Sequence, residues 1–299
     1  NADLSCTLLY GANLSQAYLT GANLSPCGFD GCSDTSLLMG ANFSGAIIKG
    51  ANLAYTGMTA AQLYSTDSYQ AHDLSHARLQ GVSHPDGNLS GLHLANASLA
   101  IATLTGAYLR HSDLTNADFS QAALSGANLN QAILTNTNFS SANLTNVNLE
   151  KRNLTQVKLS RATLVGTSLR QANLSNADLS GADMTGANFS GAEVQGADFS
   201  KDFPQGSGIT PAQLSSTASY AAHDLTGIRL NGNNLAGADF VGQNLTGARL
   251  NATLDNADFS RANLTSAELG SIPGAKLTGA EIRGATFAGI SKVQLYSTA

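Results

Sequence analysis

Five of the six histidines lie between His72 and His111, and Asp73 and Asp113 stand twenty residues before and after His93. Imidazole and carboxylate are the side chains that bind zinc and move protons near neutral pH, so this stretch is where chemistry is first sought. Three cysteines, Cys6, Cys27 and Cys32, crowd into the first 32 residues and none follows, which allows one local staple and no disulfide framework. Thirteen Asn-x-Ser/Thr sequons recur, among them Asn13, Asn23, Asn88, Asn143, Asn188 and Asn263, and each is a glycan acceptor by sequence. No Gly-rich phosphate loop, Cys-x-x-Cys pair or zinc-protease helix occurs. Ser and Thr recur too regularly for one of them to stand out as a nucleophile.

What positions these residues is an unusual chain. Of its 299 residues 42% are hydrophobic, largely Ala and Leu, while only 12% are charged, 6% are aromatic and Trp is absent. Conventional globular cores of this size need bulkier side chains. Disorder is excluded, because low hydrophobicity and high net charge are both missing. No apolar run reaches the length of a membrane span and there is no basic tract, so neither membrane insertion nor nucleic-acid binding is expected. A net charge of -5 leaves no electrostatic footprint for nucleic acid.

The order in the chain is a repeat. Every fifth residue from Leu89 through Leu94, Leu99 and Leu104 to Phe199 is apolar, twenty-three slots in succession. Two residues before most of them sits a small residue, as in Ala117, Ala122, Ala127 and Ala132. The unit is Ala-(Asn/Asp)-Leu-(Ser/Thr)-Gly, and nine of the ten Phe share the Leu slot. A period of five suits neither a helix, in which the Leu stripe would spiral, nor a straight strand, which needs a period of two. A short bent strand with a corner in each pentamer satisfies it, with the small residue and the Leu inside and the other three residues in water.

On these residues the chain resembles the pentapeptide-repeat family. The resemblance implies an all-β fold, a right-handed quadrilateral parallel β-helix with four pentamers per coil, here with short helical insertions. Twenty residues per coil and the usual strand spacing would give a rod roughly 60–70 Å long, filled by Leu and Phe and without a substrate cavity. Asp73, His93 and Asp113 then share one outward slot on successive coils, roughly 5 Å apart. Two carboxylates beside an imidazole favour its protonated form, but a solvated ladder lacks the shielded convergence of a metal or catalytic site. No catalytic, cofactor or metal residues are therefore assigned, no cofactor is expected, and the chain is expected not to be an enzyme. Cys6 and Cys27 fall nearly one coil apart, while Cys27 and Cys32 flank a register slip; either pair could bond, and Cys27 with Cys32 is expected.

The register slips carry further information. One separates Phe29 from Leu38, a second follows Phe199, a third lies between Leu250 and Leu254, and a fourth follows Leu269. Over them runs a longer motif, Met58 to Leu74, copied in Ile209 to Leu225 and begun again at Ile290. Thr210 followed by Pro211 reads as an N-cap and first helical residue, so each copy is expected to hold one short helical turn. His72 and His223 are expected in the small inward slot, as structural hydrogen-bonders. The expected organisation is coils with a Cys-containing bulge over 1–57, an insertion over 58–73, a continuous solenoid over 74–203, a second insertion over 204–224, coils over 225–289 and a third motif from 290–299. The Gln-Leu-Tyr-Ser-Thr signature of these motifs resembles large exported bacterial pentapeptide-repeat proteins.

Two functions are implied. The first is a non-catalytic extracellular or cell-surface rod, structural or adhesive, associating end to end with itself or with other surface components. Asn1 to Leu4 open inside a pentamer and Tyr296 to Ala299 fall inside the third motif, so residues 1–299 are expected to be a segment of a longer array or to stack coil on coil into a filament. The alternative is a DNA-mimicking protein that binds a topoisomerase. Such a mimic needs a continuous negative face, whereas Asp178, Asp183, Glu193, Asp198 and Asp202 span about one coil and adjoin Lys151, Arg152, Lys158, Arg161 and Arg170.

Overall fold

Each pentamer closes its own corner before the next side of the coil begins. In the computed structural model, which describes residues 2–27, 37–201 and 206–296, the Ala97 N–H donates to Leu94 O at 3.0 Å. The turn this closes has Asn96 at φ 60° as its third residue. A turn of that kind needs positive φ, which Gly adopts freely and Asn at little cost. The slot two residues after each core residue is accordingly Gly, Asn, Gln or His along most of the chain, from Gly91 to His111 and Gln121.

Among the described residues the one β-branched side chain in this slot belongs to Ile101, at φ 60° and 47% exposed. The left-handed conformation crowds its Cβ against the following carbonyl, and little burial compensates. Ile101→Gly is therefore expected to raise stability by about 1 kcal/mol, read as a higher urea midpoint. An unchanged or lower midpoint would contradict strain at this corner.

Between corners the backbone pairs in parallel with the coils on either side. Leu94 N–H donates to Asp113 O (2.8 Å), and Asp113 N–H donates to Leu92 O (3.0 Å). The slot before the core residue has its own task. Asn88 Oδ1 accepts the Ser90 N–H at 3.1 Å, and Asn42 Oδ1 accepts both the N–H and the hydroxyl of Ser44. Asn or Asp followed two residues later by Ser or Thr is thus an Asx turn that satisfies the backbone as it bends. The sequons are a by-product of this geometry.

Residues 1–148 and 149–299 form two compact units. In the first, coils of twenty residues set Asp73 beside His93, Ser83 beside Thr103 and Asn88 beside Tyr108, four pairings per coil with Arg78 beside Ser98. Leu94, Leu104, Leu109, Leu114 and Phe119 are fully buried, and Phe119 stacks on Phe139 with ring centroids 5.6 Å apart. The second unit repeats the scheme, with Asn173 beside Glu193 and Asp178 beside Asp198. Its Phe240 and Phe259 stack at 5.0 Å. Burying each Leu or Phe contributes roughly 1.5–3 kcal/mol, gained coil by coil. Among the described residues pairing runs long enough for strands only here, in β1 (Arg249–Leu250), β2 (Glu268–Ser271) and β3 (Thr286–Gly289), parallel in that order.

The slips change the coil length. Asn13 pairs with Asn42 and Asn52 with Arg78, twenty-nine and twenty-six residues on, where the first slip and the first insertion intervene. Asp198 pairs with Arg229 across thirty-one, while the third and fourth slips shorten the coil: Asp239 pairs with Asp258 and Asp258 with Lys276. Each insertion holds two short helices in place of the one expected: α1 (Ala60–Tyr64) and α2 (Asp67–Gln70), then α3 (Pro211–Ser215) and α4 (Ala218–Ala221). The second helix of each pair starts because buried Thr66 and Thr217 act as new N-caps, accepting from Tyr69 N and Tyr220 N. The third motif holds α5 (Lys292–Tyr296).

One glutamine anchors each motif. Gln62 and Gln213 complete capping boxes with Thr59 and Thr210. Their amides then donate to two carbonyls of a coil corner, Gln62 to Leu38 and Ala41 (2.6 and 3.0 Å) and Gln213 to Met184 and Ala187 (2.9 and 3.1 Å). Gln294 does the same to Ile272 and Ala275.

Candidate functional site

The twenty-residue coil brings Asp73, His93 and Asp113 onto one column, as their spacing suggested. His93 Nδ1 lies 3.4 Å from Asp113 Oδ2, with the imidazole 58% exposed. Asp73, however, turns to Lys49, whose Nζ sits 2.6 Å from Asp73 Oδ2. Sequence spacing missed Lys49, because the insertion makes its coil longer than twenty residues. Partial burial pushes the Asp113 carboxyl up, but the Thr115 hydroxyl and N–H and the nearby His93 outweigh it and hold it below the ordinary range. At Asp73 the same balance, with Lys49 and Ser75 as donors, places it at about 2.

That depression fixes a sign for the pH dependence. Asp73 titrates at about 2 when folded against an ordinary 3.8, so its contribution is present above pH 4 and is lost as pH falls from about 4 to about 2. With the carboxylate 34% exposed, solvent screening limits the contribution to about 1 kcal/mol. Lys49→Met is expected to shrink the fall in urea midpoint between pH 5 and pH 2.5. An identical fall in parent and variant would show that the pair does not couple to folding.

The structure bonds Cys6 to Cys27, with Cα atoms 4.5 Å apart. This corrects the expected Cys27–Cys32 bridge. The first coil has a twenty-residue pitch, Asp3 beside Asn23, and Cys6 N–H donates to Ser25 O, which lays Cys6 against Cys27. Cys32 lies outside the described residues, as do Phe29 and Asp202.

His72 and His223 also depart from expectation. Both are exposed at corners with φ 59° and 56°, because the insertion rejoins the coil through a turn and not through the inward slot. Sequence reasoning passed over His84, which stands in the Leu slot between Leu79 and Leu89 and is 1% exposed. Its Nδ1 lies 2.7 Å from Ser83 O, and Nε2 has no partner among the described residues. Burial pushes its imidazole pKa down, against a smaller opposing effect of the Ser83 carbonyl. The visible signal was the single break in the Leu series.

Of the sequon residues, Asn13, Asn88, Asn143 and Asn188 are exposed and Asn23 and Asn263 half-buried. Among the described residues no three His, Cys, Asp or Glu side chains gather to hold a metal ion. The acidic and basic groups interleave: Lys158, Asp178, Asp198, Arg229, Arg249 and Glu268 follow one another on a single column of the second unit. Arg229 pairs with Asp198 at 3.4 Å, Arg249 with Glu268 at 3.6 Å, and Glu150 with Lys151 at 3.5 Å.

No curated protein matches the chain. Among solved structures it is similar to HetL, a pentapeptide repeat protein involved in heterocyst differentiation regulation from the cyanobacterium Nostoc sp. Strain PCC 7120, at 28% identity over 77% of this chain and 92% of that one, with a TM-score of 0.46. It is also similar to QnrB1, a plasmid-mediated fluoroquinolone resistance protein, at 18% identity over 83% of this chain and 92% of that one, with a TM-score of 0.44. A pentapeptide repeat protein of the Arabidopsis thaliana thylakoid lumen shares 27% identity over 37% of this chain and 67% of its own, with a TM-score of 0.17. The family model for pentapeptide repeats matches residues 1–33, overlapping segments from 73–110 to 162–201, and residues 224–253 and 251–271. Those matches cover well over half of the chain and coincide with the paired coils, so the chain belongs to the pentapeptide-repeat family.

Proposed function

We propose that this protein is a non-catalytic structural or adhesive component of the extracellular space or cell surface, of the exported bacterial type, and that its right-handed quadrilateral coils add end to end into a filament or along a longer array. The observation that carries this reading is the contrast between core slots. Leu94, Leu104 and Leu109 are fully buried between neighbouring coils, whereas Leu4, Leu9 and Leu14 in the first coil, Ile282 before β3 and Phe287 within it are only half-buried. A further coil of the same kind would cover them and pair the open backbone edge. The Cys6–Cys27 bridge suits an oxidising compartment, and any glycans would sit on the exposed sequons. A DNA-mimicking, topoisomerase-binding role draws less support, because Arg229 and Arg249 interrupt the acidic column.

Sedimentation velocity and negative-stain electron microscopy of the 299-residue chain test the proposal. Concentration-dependent fibres or oligomers are expected, weakened in a Leu9→Glu variant. Compact monomers of 30.6 kDa at every concentration would overturn it.

A further inference from the structure

The two helical insertions correspond residue by residue, and their differences define a site. In the first, Tyr64 packs on Tyr69 with ring centroids 4.6 Å apart, and its hydroxyl accepts the Asn88 N–H at 3.0 Å. Tyr69 Oη donates to Asn88 O at 2.7 Å. A Cβ at Gly87 would stand 2.9 Å from the Cβ and carbonyl oxygen of His84 and 3.1 Å from Tyr64 Oη, so glycine leaves room both for its own turn and for this ring.

In the second insertion Tyr220 takes the place of Tyr69 and makes the same bond, Oη to Asp239 O at 2.6 Å. Ser215 replaces Tyr64, and Ala238 replaces Gly87. What remains is an open cavity of about 190 Å³, walled by Pro211, Leu214, Ser215, Tyr220, Ala238 and Phe240. The Asp239 N–H, counterpart of the Asn88 donor, has no acceptor among the described residues. A cavity of about 150 Å³ already admits a benzene ring, so this one has space for a single aromatic ring, an aromatic wall for it to stack on and a donor for its oxygen.

We propose that this cavity binds a phenolic ring, which stacks on Tyr220 and accepts a hydrogen bond from the Asp239 N–H as Tyr64 does with Asn88. An untethered ring can shift by the few tenths of an ångström that the Ala238 methyl requires. A free phenol and a tyrosyl side chain present the same chemistry, and the experiment separates them.

Amide NMR spectra of the full chain are titrated with p-cresol, with N-acetyl-tyrosinamide and with benzene. Saturable shifts are expected at Leu214, Tyr220 and Asp239, with p-cresol binding about tenfold more tightly than benzene because only it satisfies the donor. Shifts with both phenols would show that a tyrosyl side chain enters; shifts with p-cresol alone would assign the cavity to free phenols. The double variant Ser215→Tyr with Ala238→Gly rebuilds the first insertion, and should abolish the shifts while raising the thermal midpoint. Tyr64→Ser should open a second p-cresol site beside Tyr69. The proposal is overturned if no phenol gives saturable shifts, if benzene binds as well as p-cresol, or if the filled double variant still binds.

Discussion

Leu109→Asp is expected to separate the coils on either side of it. Leu109 is fully buried between Leu89 and Leu129, which occupy the same slot one coil away in each direction. Its N–H donates to Asn128 O at 2.8 Å, and the Ser112 N–H closes the corner on its carbonyl. Truncating a buried Leu costs about 2–5 kcal/mol. An ionised carboxylate in the same slot adds several more, unless it takes up a proton or finds a partner. Among the described residues, no cationic group is hydrogen-bonded or salt-bridged at this slot, so a loss of about 5 kcal/mol or more is expected.

Because each coil rests on its neighbours, the loss should be local. Hydrogen exchange should report faster opening from Leu89 to Leu129 and spare the coils of the second unit, while the urea transition of the first unit moves to lower concentration. Leu109→Met, which conserves volume, should shift the midpoint by less than about 1.5 kcal/mol. Equal stability of Leu109→Asp and the parent would remove Leu109 from the core.

The same repetition explains how much of this fold is legible in the sequence. With a period of five, every position is read against its neighbours five residues away, so the Leu slot, the small slot and the Asx slot are each specified many times over. The Asp73, His93 and Asp113 column follows from spacing alone once the coil length is known. Phase, however, fixes which way a side chain points and not which residue lies above it. Where an insertion lengthens the coil, the residue that lies alongside changes with it. Lys49 reaches Asp73 for that reason, and Cys27 meets Cys6 across a coil of normal length.

The two long motifs show a second limit. As sequence they are copies, and Tyr64 against Ser215 is one substitution among many. In the structure that substitution decides between a filled and an open ring-sized space, because Gly87, Asn88 and Tyr69 are arranged around the tyrosine. His84 belongs with them: its counterpart Leu235 keeps the pattern, and the imidazole against Tyr64, ring centroids 6.0 Å apart, marks the place where the pattern is broken. Local packing around an insertion has no periodic neighbour from which to read it.

Asn233 shows how such an insertion is held. It occupies the small inward slot, where most coils have Ala, and is 1% exposed. Its Nδ2 donates to Phe199 O at 2.8 Å and to Leu230 O at 3.0 Å, and its Oδ1 accepts the Ile209 N–H at 2.8 Å. Phe199 is the last core residue before the chain leaves the coil, and Ile209 is the buried residue from which it enters α3. One amide therefore joins the two ends of the excursion. Asn233→Leu conserves approximate size but leaves a buried donor and a buried acceptor unpaired, each worth about 1–3 kcal/mol. A loss of about 3 kcal/mol is expected, with the α3 and α4 amides exchanging faster. Asn233→Asp separates hydrogen bonding from shape. As a carboxylate it retains the acceptor for Ile209 but loses both donations and buries a charge, so at pH 7 it should be at least as destabilising. Once protonated it has one donor and one acceptor again. Burial raises its folded pKa above the unfolded value, so its deficit relative to the parent should narrow as pH falls from that raised value toward the unfolded carboxyl range near 4, below which no further change is expected, while the deficit of Asn233→Leu stays constant. Urea midpoints of both variants and the parent at pH 7 and pH 4 measure the difference. A Leu variant within 0.5 kcal/mol of the parent (the ordinary range for surface changes) would mean that the insertion is held in place by its glutamine clamp and helix caps alone.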